Sequence, residues 1–190
     1  MSETNNLYIW HFLKKCNEKG WLYKGVNSMP WCVRCGTAIS AHELSDEGYK
    51  IIEHESVYVK FPLISDNSGS PATSLLIWTT TPWTLLANVA VAVNPDYSYV
   101  KIRTESQPEE LLIVAENRLS VIPDGYVIVE KLMGKDLVGL TYRGPFDELS
   151  AQKEVQHRVI DWSEVSETEG TGLVHIAPGA GEEDFILGKK

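Results

Sequence analysis

The sequence LLIWTTTPWTLLANVAVAVNP, residues 75–95, places a dense cluster of hydroxyl side chains between two apolar runs. The first run, Leu75 to Trp78, is short and fully apolar, as is typical of a buried strand. The second run, Ala87 to Val93, alternates small and β-branched residues and stops at a turn signal, Asn94-Pro95-Asp96. We therefore expect one buried strand to deliver the hydroxyl groups to one place, and a second buried strand to lead away from it.

Four threonines, Thr79, Thr80, Thr81 and Thr84, form the hydroxyl cluster, and Pro82 interrupts them. Threonine favours strands, so one interpretation is that these side chains only decorate the edge of a sheet. Pro82 favours another interpretation, because a proline ends the strand ladder at Thr81 and turns the hydroxyls toward a loop. Hydroxyls donate and accept hydrogen bonds without carrying charge, so such a loop can bind sugar hydroxyls, carbonyl groups or a water molecule.

Size and composition indicate a globular protein with one main core. The chain has 190 residues, 43% of them hydrophobic, and no apolar run approaches the length of a membrane span. Its N-terminus is polar and acidic and lacks the pattern of a signal peptide. The net charge of -9 argues against a broad face for duplex nucleic acid, but it allows a narrow pocket for one nucleotide end. Three cysteines form no disulfide framework, so we expect a reducing, cytoplasmic setting.

Hydrophobic periodicity divides the chain into a helical beginning and a strand-rich remainder. Apolar residues recur at helical spacing and predict a helix over residues 7–19. An irregular stretch with a Cys-x-x-Cys pair follows, so we interpret residues 1–48 as an appendage and residues 49–190 as the main domain. Many short strands with few helices predict an α+β fold, with a barrel-like or sandwich-like β core and helices at its margins. Within it, Gly134 and Gly139 predict a tight turn between two strands.

A second stretch, GTGLVHIAPGAGEEDF at residues 170–185, combines a strand that ends at a histidine, a glycine-rich turn and an acidic first helical turn. His175 is either a core histidine with satisfied hydrogen bonds or a side chain presented at a site. Glu182, Glu183 and Asp184 are either capping acids, which the helix dipole favours, or groups that bind a ligand. Three acids without a neighbouring lysine argue against a phosphate cradle and favour a positively charged group, such as an amine.

The pair Cys32-Val33-Arg34-Cys35, followed by Gly36, has a knuckle-like setting. One such pair is half of a tetrahedral zinc site, and the sequence contains no second pair. The further cysteine and three of the histidines are ligand candidates without a recognisable spacing: Cys16, His11, His42 and His54. Redox chemistry is the alternative interpretation, although the pair does not follow a strand and open a helix as in thioredoxin-type motifs.

Two motifs, WTTTPWTLLAN with AVAVNP and then GTGLVHIAPGAGEEDF, closely resemble the editing domain that is inserted into the catalytic domain of isoleucyl-tRNA synthetases. GWLYKG, MPWCVRCGTAIS and GKDLVGLTYRGPF resemble the beginning and middle of the same insertion, so the resemblance covers nearly the whole chain. Valyl and leucyl relatives have an arginine and an acid where Thr81 and Trp83 stand, which favours the isoleucyl family. The resemblance implies an α+β fold with a barrel-like β core and peripheral helices, in which residues 1–48 lead into the insertion and residues 49–190 form the editing domain.

The resemblance also implies a reaction, the hydrolysis of the ester that links valine to the terminal adenosine of isoleucine tRNA. A positioned water would attack the ester without a covalent enzyme intermediate. Asp184 would bind the α-ammonium group through charge-assisted hydrogen bonds, and His175 would limit the size of the amino acid. The implied catalytic residues are Thr80, Thr81, His175 and Asp184. The implied substrate-binding residues are Thr79, Trp83, Thr84, Asn88 and again Asp184.

Further expectations concern cofactors and partners. By the resemblance, the editing site needs no cofactor, and zinc at Cys32 and Cys35 in the full-length enzymes requires a second cysteine pair that would lie beyond Lys190. The synthetase motifs His-x-Gly-His and Lys-Met-Ser-Lys-Ser are missing from the sequence, so we expect a fragment without ligase activity. The expected partners are the 3′ end of isoleucine tRNA carrying valine and the rest of a parent synthetase, with no membrane and a monomeric fragment. The alternatives are a non-catalytic module that binds the tRNA 3′ end and a zinc-knuckle interaction module.

Overall fold

The computed structural model describes residues 2–44, 50–64, 71–123 and 125–189. None of the helices in these ranges combines the length and the apolarity that crossing a membrane requires. The expected boundary between residues 48 and 49 lies outside the described residues.

Helix α1 spans Glu3–Glu18 and confirms the helix predicted over residues 7–19, with an earlier start. The Ser2 side chain caps it by accepting a hydrogen bond from the Asn5 backbone N–H. Gly20, with φ of +71°, follows its end in a conformation that favours glycine. The helix contains no buried residue, and Trp10 is 69% exposed. Its apolar face is therefore not covered by the described part of the chain.

Short strands make up most of the remaining structure. In chain order they are β1 Trp31–Cys32, β2 Thr37–Ala38, β3 Val57–Pro62, β4 Ala72–Thr79, β5 Ala90–Val93, β6 Ser98–Thr104, β7 Glu110–Ala115, β8 Tyr126–Met133, β9 Arg158–Asp161 and β10 Val174–Ile176. One sheet has the order β3-β4-β7-β6-β8, with β4 and β7 parallel and the other pairs antiparallel. A second sheet has the order β10-β5-β9, and β1 pairs with β2 as a small separate hairpin.

The two larger sheets are joined along one side. Isolated bridges pair Leu63 with Tyr142 and Thr141 with Arg158, so the chain at residues 141–142 links the β3 edge to the β9 edge. The two sheets and few helices confirm the predicted α+β class, although the described strands form two linked sheets rather than a closed barrel.

The main core lies where β4 and β5 meet the neighbouring strands. Leu75 and Ile77 of β4, and Val91 and Val93 of β5, have no exposed surface. Both predicted buried strands of the central stretch are therefore confirmed, at β4 and β5. Because β5 pairs with β10 and β4 ends nearby, the core brings the two motifs of the sequence together.

Two short helices complete the fold, α2 Gly134–Leu137 and α3 Glu182–Leu187. Helix α2 occupies the first part of the stretch where the glycines predict a tight turn, and the turn itself follows at residues 138–139, where Gly139 has φ of +88°. An added Cβ at Gly134 would lie 1.9 Å from the Asn94 carbonyl oxygen, so glycine is required there for close backbone approach. Helix α3 confirms the predicted helix start near Glu182.

Candidate active site

A cavity of about 360 Å³ opens between the hydroxyl cluster and the segment of residues 166–184. It is lined by Trp78, Thr79, Thr80, Thr81, Trp83, Thr84, Ser166, Glu169, Gly170, Leu173, Val174, His175, Ala177, Ala180 and Asp184. The two sequence motifs therefore contribute opposite walls of one cavity, although many residues separate them along the chain.

Strand β4 ends at Thr79, and Pro82 begins a 3-10 helix that spans Pro82–Ala87. Proline suits that first helical position because its fixed φ is helical and its missing N–H is not needed. The strand therefore ends two residues earlier than the predicted Thr81, and the turn directs the threonines into the cavity as expected.

Three of the threonines are bonded to one another. The Thr81 backbone N–H donates to Thr79 Oγ1 at 3.1 Å, and the Thr84 hydroxyl donates to the Thr81 carbonyl at 2.8 Å. The Oγ1 atoms of Thr79 and Thr81, and those of Thr81 and Thr84, are each 3.3 Å apart. Thr80 also lines the cavity, and in the described ranges its hydroxyl has no hydrogen-bond partner. Among the four threonines, Thr80 is thus the one whose hydroxyl hydrogen is free for a ligand.

His175 lies on β10, opposite Val91 of β5, and its Nε2 is 2.8 Å from Thr84 Oγ1. Thr84 has a single hydroxyl hydrogen, which it donates to the Thr81 carbonyl. Both bonds are therefore satisfied together only if Nε2 of His175 carries the hydrogen and donates to Thr84. The remaining ring nitrogen, Nδ1, is buried and has no partner among the described residues.

Burial lowers the pKa of His175 below its usual value, and the nearby Asp184 charge only partly opposes this. The ring is therefore neutral at pH 7. A neutral ring held by Thr84 presents bulk to the cavity rather than charge, which suits a wall that limits the size of a ligand.

Asp184 stands in the first turn of α3 and lines the cavity opposite the threonines. Its Oδ1 accepts a hydrogen bond from the Ala177 backbone N–H at 2.8 Å, while Oδ2 has no partner in the described residues. An added Cβ at Gly181 would lie 2.3 Å from Oδ2, so the glycine makes room for this carboxylate. Glu182 and Glu183 are exposed and do not line the cavity. Asp184 is therefore oriented by backbone, with one oxygen free.

Trp83 stands at the cavity with 65% of its surface exposed, so it can cover a ligand without being part of the core. The cavity lining also includes Ser166, Glu169 and Gly170, which sequence reasoning did not assign to the site. The only signal was their position, directly before or within the second motif, in an acidic loop.

The structure does not bring Asn88 into the cavity. Its side chain has no exposed surface, its Nδ2 donates to the Ala90 carbonyl at 2.9 Å, and its Oδ1 accepts from the Tyr142 hydroxyl at 2.7 Å. Both ends of the amide are thus used within the fold, where they connect β5 to the segment that links the two sheets. These structural hydrogen bonds are sufficient to explain why a polar residue stands in this apolar run, and no contact with a substrate is needed.

Cys32 and Cys35 lie at the turn of the β1–β2 hairpin. The Cys35 backbone N–H donates to Cys32 Sγ at 3.3 Å, and Gly36 has φ of +67°. Hydrogen bonds to the Cys32 sulfur from the Cys35 backbone, the Cys35 side chain and the Arg34 backbone hold the pKa of the Cys32 thiol below its usual value. Among the described residues no group of three or more histidine, cysteine or acidic side chains comes together in a way that could hold a metal ion. The hairpin therefore supplies two thiol ligands, and the described residues do not complete a zinc site.

We compared the chain with known proteins by sequence and by fold, and both comparisons found aminoacyl-tRNA synthetases. No protein-family model matches the chain. It is 43% identical to the isoleucine–tRNA ligase of Sulfolobus acidocaldarius over 198 residues, 98% of this chain and 18% of that protein. It is 45% identical to the enzyme of Methanopyrus kandleri over 204 residues, 98% of this chain and 19% of that protein. For Pyrococcus furiosus the identity is 47% over 200 residues, 97% of this chain and 18% of that protein.

Solved structures resemble the fold at low sequence identity. The crystal structure of GlLeuRS-CP1 has a TM-score of 0.60 and 20% identity, and the match covers 71% of this chain and 59% of that chain. The editing domain of the cytosolic leucyl-tRNA synthetase of P. knowlesi has a TM-score of 0.53 and 14% identity, with 68% and 60% covered.

The chain thus spans 18–19% of the length of the first of these ligases, and it matches them along almost all of its own length. By sequence this protein is related to the isoleucine–tRNA ligases, and by fold to the editing domains of aminoacyl-tRNA synthetases.

Proposed function

We propose that this chain is the hydrolytic editing domain of an isoleucyl-tRNA synthetase, which removes valine from mischarged isoleucine tRNA. The observation that carries the proposal is one cavity with a partly free carboxylate on one wall and a row of hydroxyls on the other. The substrate has complementary groups in the same arrangement, since its ammonium and its ester are joined through a single carbon atom.

Asp184 is the proposed anchor for the ammonium group. Its Oδ1 is occupied by the Ala177 N–H, which fixes the carboxylate, and Oδ2 remains to accept a hydrogen bond from the substrate. A charge-assisted bond of this kind contributes about 1.5–3 kcal/mol. No other carboxylate serves equally well, because Glu182 and Glu183 are exposed and do not line the cavity, and Glu169 lines it but is exposed.

Thr80 is the proposed contact for the ester or for the attacking water. Its hydroxyl hydrogen has no partner within the described residues, whereas Thr79, Thr81 and Thr84 bond to one another. In the reaction, the water oxygen bonds to the carbonyl carbon of the ester and the water gives up one proton. The bond from that carbon to the ribose oxygen breaks, and the ribose oxygen takes up a proton, so the two transfers balance. The products are free valine and uncharged tRNA.

Orientation is the main catalytic contribution in this proposal. His175 is not assigned as the base, because its Nε2 hydrogen is donated to Thr84 and its Nδ1 is buried. Its proposed role is to exclude the extra methylene of isoleucine. A methylene in an apolar pocket gives only about 1–3 kcal/mol of discrimination; isoleucine against valine is the standard illustration of this limit, which is why a second, smaller site is useful.

The proposed partners are the 3′ end of isoleucine tRNA and the remainder of a longer synthetase, in the cytoplasm. The relatives support the proposal that the chain belongs to a longer synthetase, because the chain spans only 18–19% of their length. The three free cysteines fit a reducing compartment. We propose no cofactor for the cavity, and zinc at Cys32 and Cys35 only if ligands from outside the described residues complete the site.

The test is the rate at which the purified chain deacylates isoleucine tRNA charged with valine or with isoleucine. We expect hydrolysis of the valyl ester and little hydrolysis of the isoleucyl ester. Equal rates on the two esters contradict the proposed specificity. Binding of the charged tRNA without any hydrolysis supports instead a non-catalytic module for the tRNA 3′ end.

A further inference from the structure

Arg118 lies directly behind one wall of the cavity. It belongs to a 3-10 helix, Glu116–Val121, that follows β7, and its side chain is half-buried. Its Nε donates a hydrogen bond to the Gly170 carbonyl at 2.9 Å, and Gly170 lines the cavity. The guanidinium group is thus one hydrogen bond away from the cavity lining.

The wall between Arg118 and the cavity is thin. Gly170 has φ of +56°, and an added Cβ there would lie 2.8 Å from Cε3 of Trp78, which also lines the cavity. The next two carbonyls are also held: Thr171 accepts from the Ala115 N–H at 2.9 Å, and Gly172 accepts from the Tyr99 hydroxyl at 2.8 Å. The consecutive bonds fix this wall, and with it the position of the guanidinium group relative to the cavity.

The positive charge of Arg118 contrasts with the negative charges that line the cavity. The cavity lining contains two carboxylates, Glu169 and Asp184, and neither lysine nor arginine. The whole chain carries a formal charge of -9. A nucleic-acid end that enters such a cavity carries phosphates, and their approach is unfavourable unless a positive charge lies close to the opening.

Among the described residues, Arg118 carries a positive charge without an ion-pair partner. Two lysines of the same sheet are already in ion pairs, Lys101 of β6 with Glu130 at 2.7 Å and Lys131 of β8 with Glu116. Within the described ranges Arg118 forms no ion pair, and only its Nε is used in a hydrogen bond. Both Nη groups are therefore available, and a guanidinium fork matches the geometry of a phosphate.

We propose that Arg118 binds a backbone phosphate of the single-stranded RNA end whose terminal nucleoside enters the cavity. This inference rests on the proposed function and extends it, because it names the residue that holds the nucleic acid outside the cavity. One side chain then has two tasks: Nε fixes the wall at Gly170, and the Nη groups bind the phosphate.

The experiment compares two ligands that differ in their phosphates. The first is a short fluorescent RNA that ends in 3′-amino-3′-deoxyadenosine acylated with valine through a stable amide. The second is the same valyl-aminonucleoside without any phosphate, which competes for the same cavity. Binding to the purified chain is measured over a range of salt concentrations for the parent chain, Arg118→Gln, Arg118→Lys and Arg103→Gln. The last variant removes an exposed arginine on β6 that does not line the cavity, so it controls for the change in net charge.

We expect Arg118→Gln to weaken RNA binding about tenfold at low salt and to reduce the slope of log K against log salt by about 0.7, the value for one phosphate of a single strand. Binding of the nucleoside should not change, and Arg118→Lys should retain most of the salt dependence. Equal weakening for both ligands would show that Arg118 only supports the wall at Gly170, and an unchanged RNA affinity would remove it from the interface. Either result overturns this inference while the proposed function stands; failure of the parent chain to bind either ligand contradicts both.

Discussion

The N-terminal region, residues 2–44, and the region around the cavity give equally clear local signals in the sequence, but their structures differ in one respect. Helix α1 forms as its periodicity predicts, yet none of its residues is buried. Strands β4 and β5 also form as predicted, and most of their residues are buried. The comparison shows that a local pattern is sufficient to specify an element, whereas burial requires partners from distant parts of the chain.

The functional groups show the same difference. The Cys-x-x-Cys hairpin presents two thiols that no third ligand joins among the described residues. The threonines of residues 79–84, by contrast, meet His175 and Asp184 because β5 pairs with β10. We therefore expect substitutions near the cavity to have large effects, and substitutions in the N-terminal region to have small ones.

The largest expected effect is that of Asp184→Asn on deacylation. The amide still accepts the hydrogen bond from the Ala177 N–H, so the fold should be retained, but it lacks the charge that the substrate ammonium needs. We expect the rate with valine-charged tRNA to fall about a hundredfold or more, because a misplaced ester loses its alignment with the water. The matched control is Glu183→Gln, an exposed acid in the same helical turn. Similar modest losses in both variants would show that these acids only cap α3.

The next largest effect is on stability. Ile77 is fully buried in β4, so we expect Ile77→Ala to lower the free energy of unfolding by about 2–5 kcal/mol. Trp10 of α1 is 69% exposed, so Trp10→Ala should change it by less than about 0.5 kcal/mol. Urea unfolding of the two variants measures both values. A large loss of unfolding free energy in Trp10→Ala would contradict the contrast between the two regions, because it would show that α1 packs against the domain in solution.

His175→Ala should change selectivity more than the rate with the valyl ester. Removal of the ring makes room for one methylene, so the preference for valine over isoleucine should fall by about 1–3 kcal/mol, or about 10–200-fold. The measurement is the ratio of the two deacylation rates, together with the melting temperature. An equal loss of both activities with a lower melting temperature would identify His175 as a core residue.

Thr84→Val tests how the ring of His175 is held. The substitution keeps the shape but removes the acceptor of the Nε2 hydrogen, so we expect the preference for valine to fall several-fold and Thr84→Ser to restore it. Nitrogen NMR of His175 should show hydrogen on Nε2 in the parent chain and a mixture of tautomers in Thr84→Val. A parent spectrum with hydrogen on Nδ1 would refute the assigned direction of this bond.

The smallest effect is expected at the cysteine hairpin. Two thiolates leave half of a tetrahedral shell unfilled, so dialysis should remove zinc from the purified chain, and Cys32→Ser should leave deacylation and melting temperature unchanged. Metal analysis after dialysis tests the first point. One equivalent of retained zinc would show that ligands from elsewhere complete the site, and that the N-terminal region is better organised than the described contacts indicate.

The sequence allowed most of the elements and much of the cavity lining to be predicted. Helix α1, the strands around residues 75–93 and the start of α3 follow from periodicity and from turn residues, which act over a few positions. The two motifs marked the segments that form the two walls of the cavity. Asn88 belongs to one motif, but its side chain turns inward to Ala90 and Tyr142, and no local pattern specifies that direction.

By itself, the sequence determined where α1, α3 and the strands on either side of the hydroxyl cluster form, the buried character of β4 and β5, and the residue types that the motifs contain. The tertiary structure alone decided which of these groups meet. It added Ser166, Glu169 and Gly170 to the opening, it set the hydrogen bond between Thr84 and His175, and it placed Arg118 behind the wall. The physical reason is that secondary structure depends on contacts between near neighbours in the chain, whereas a cavity depends on strand pairing and packing between distant residues, which also fix the direction of each side chain.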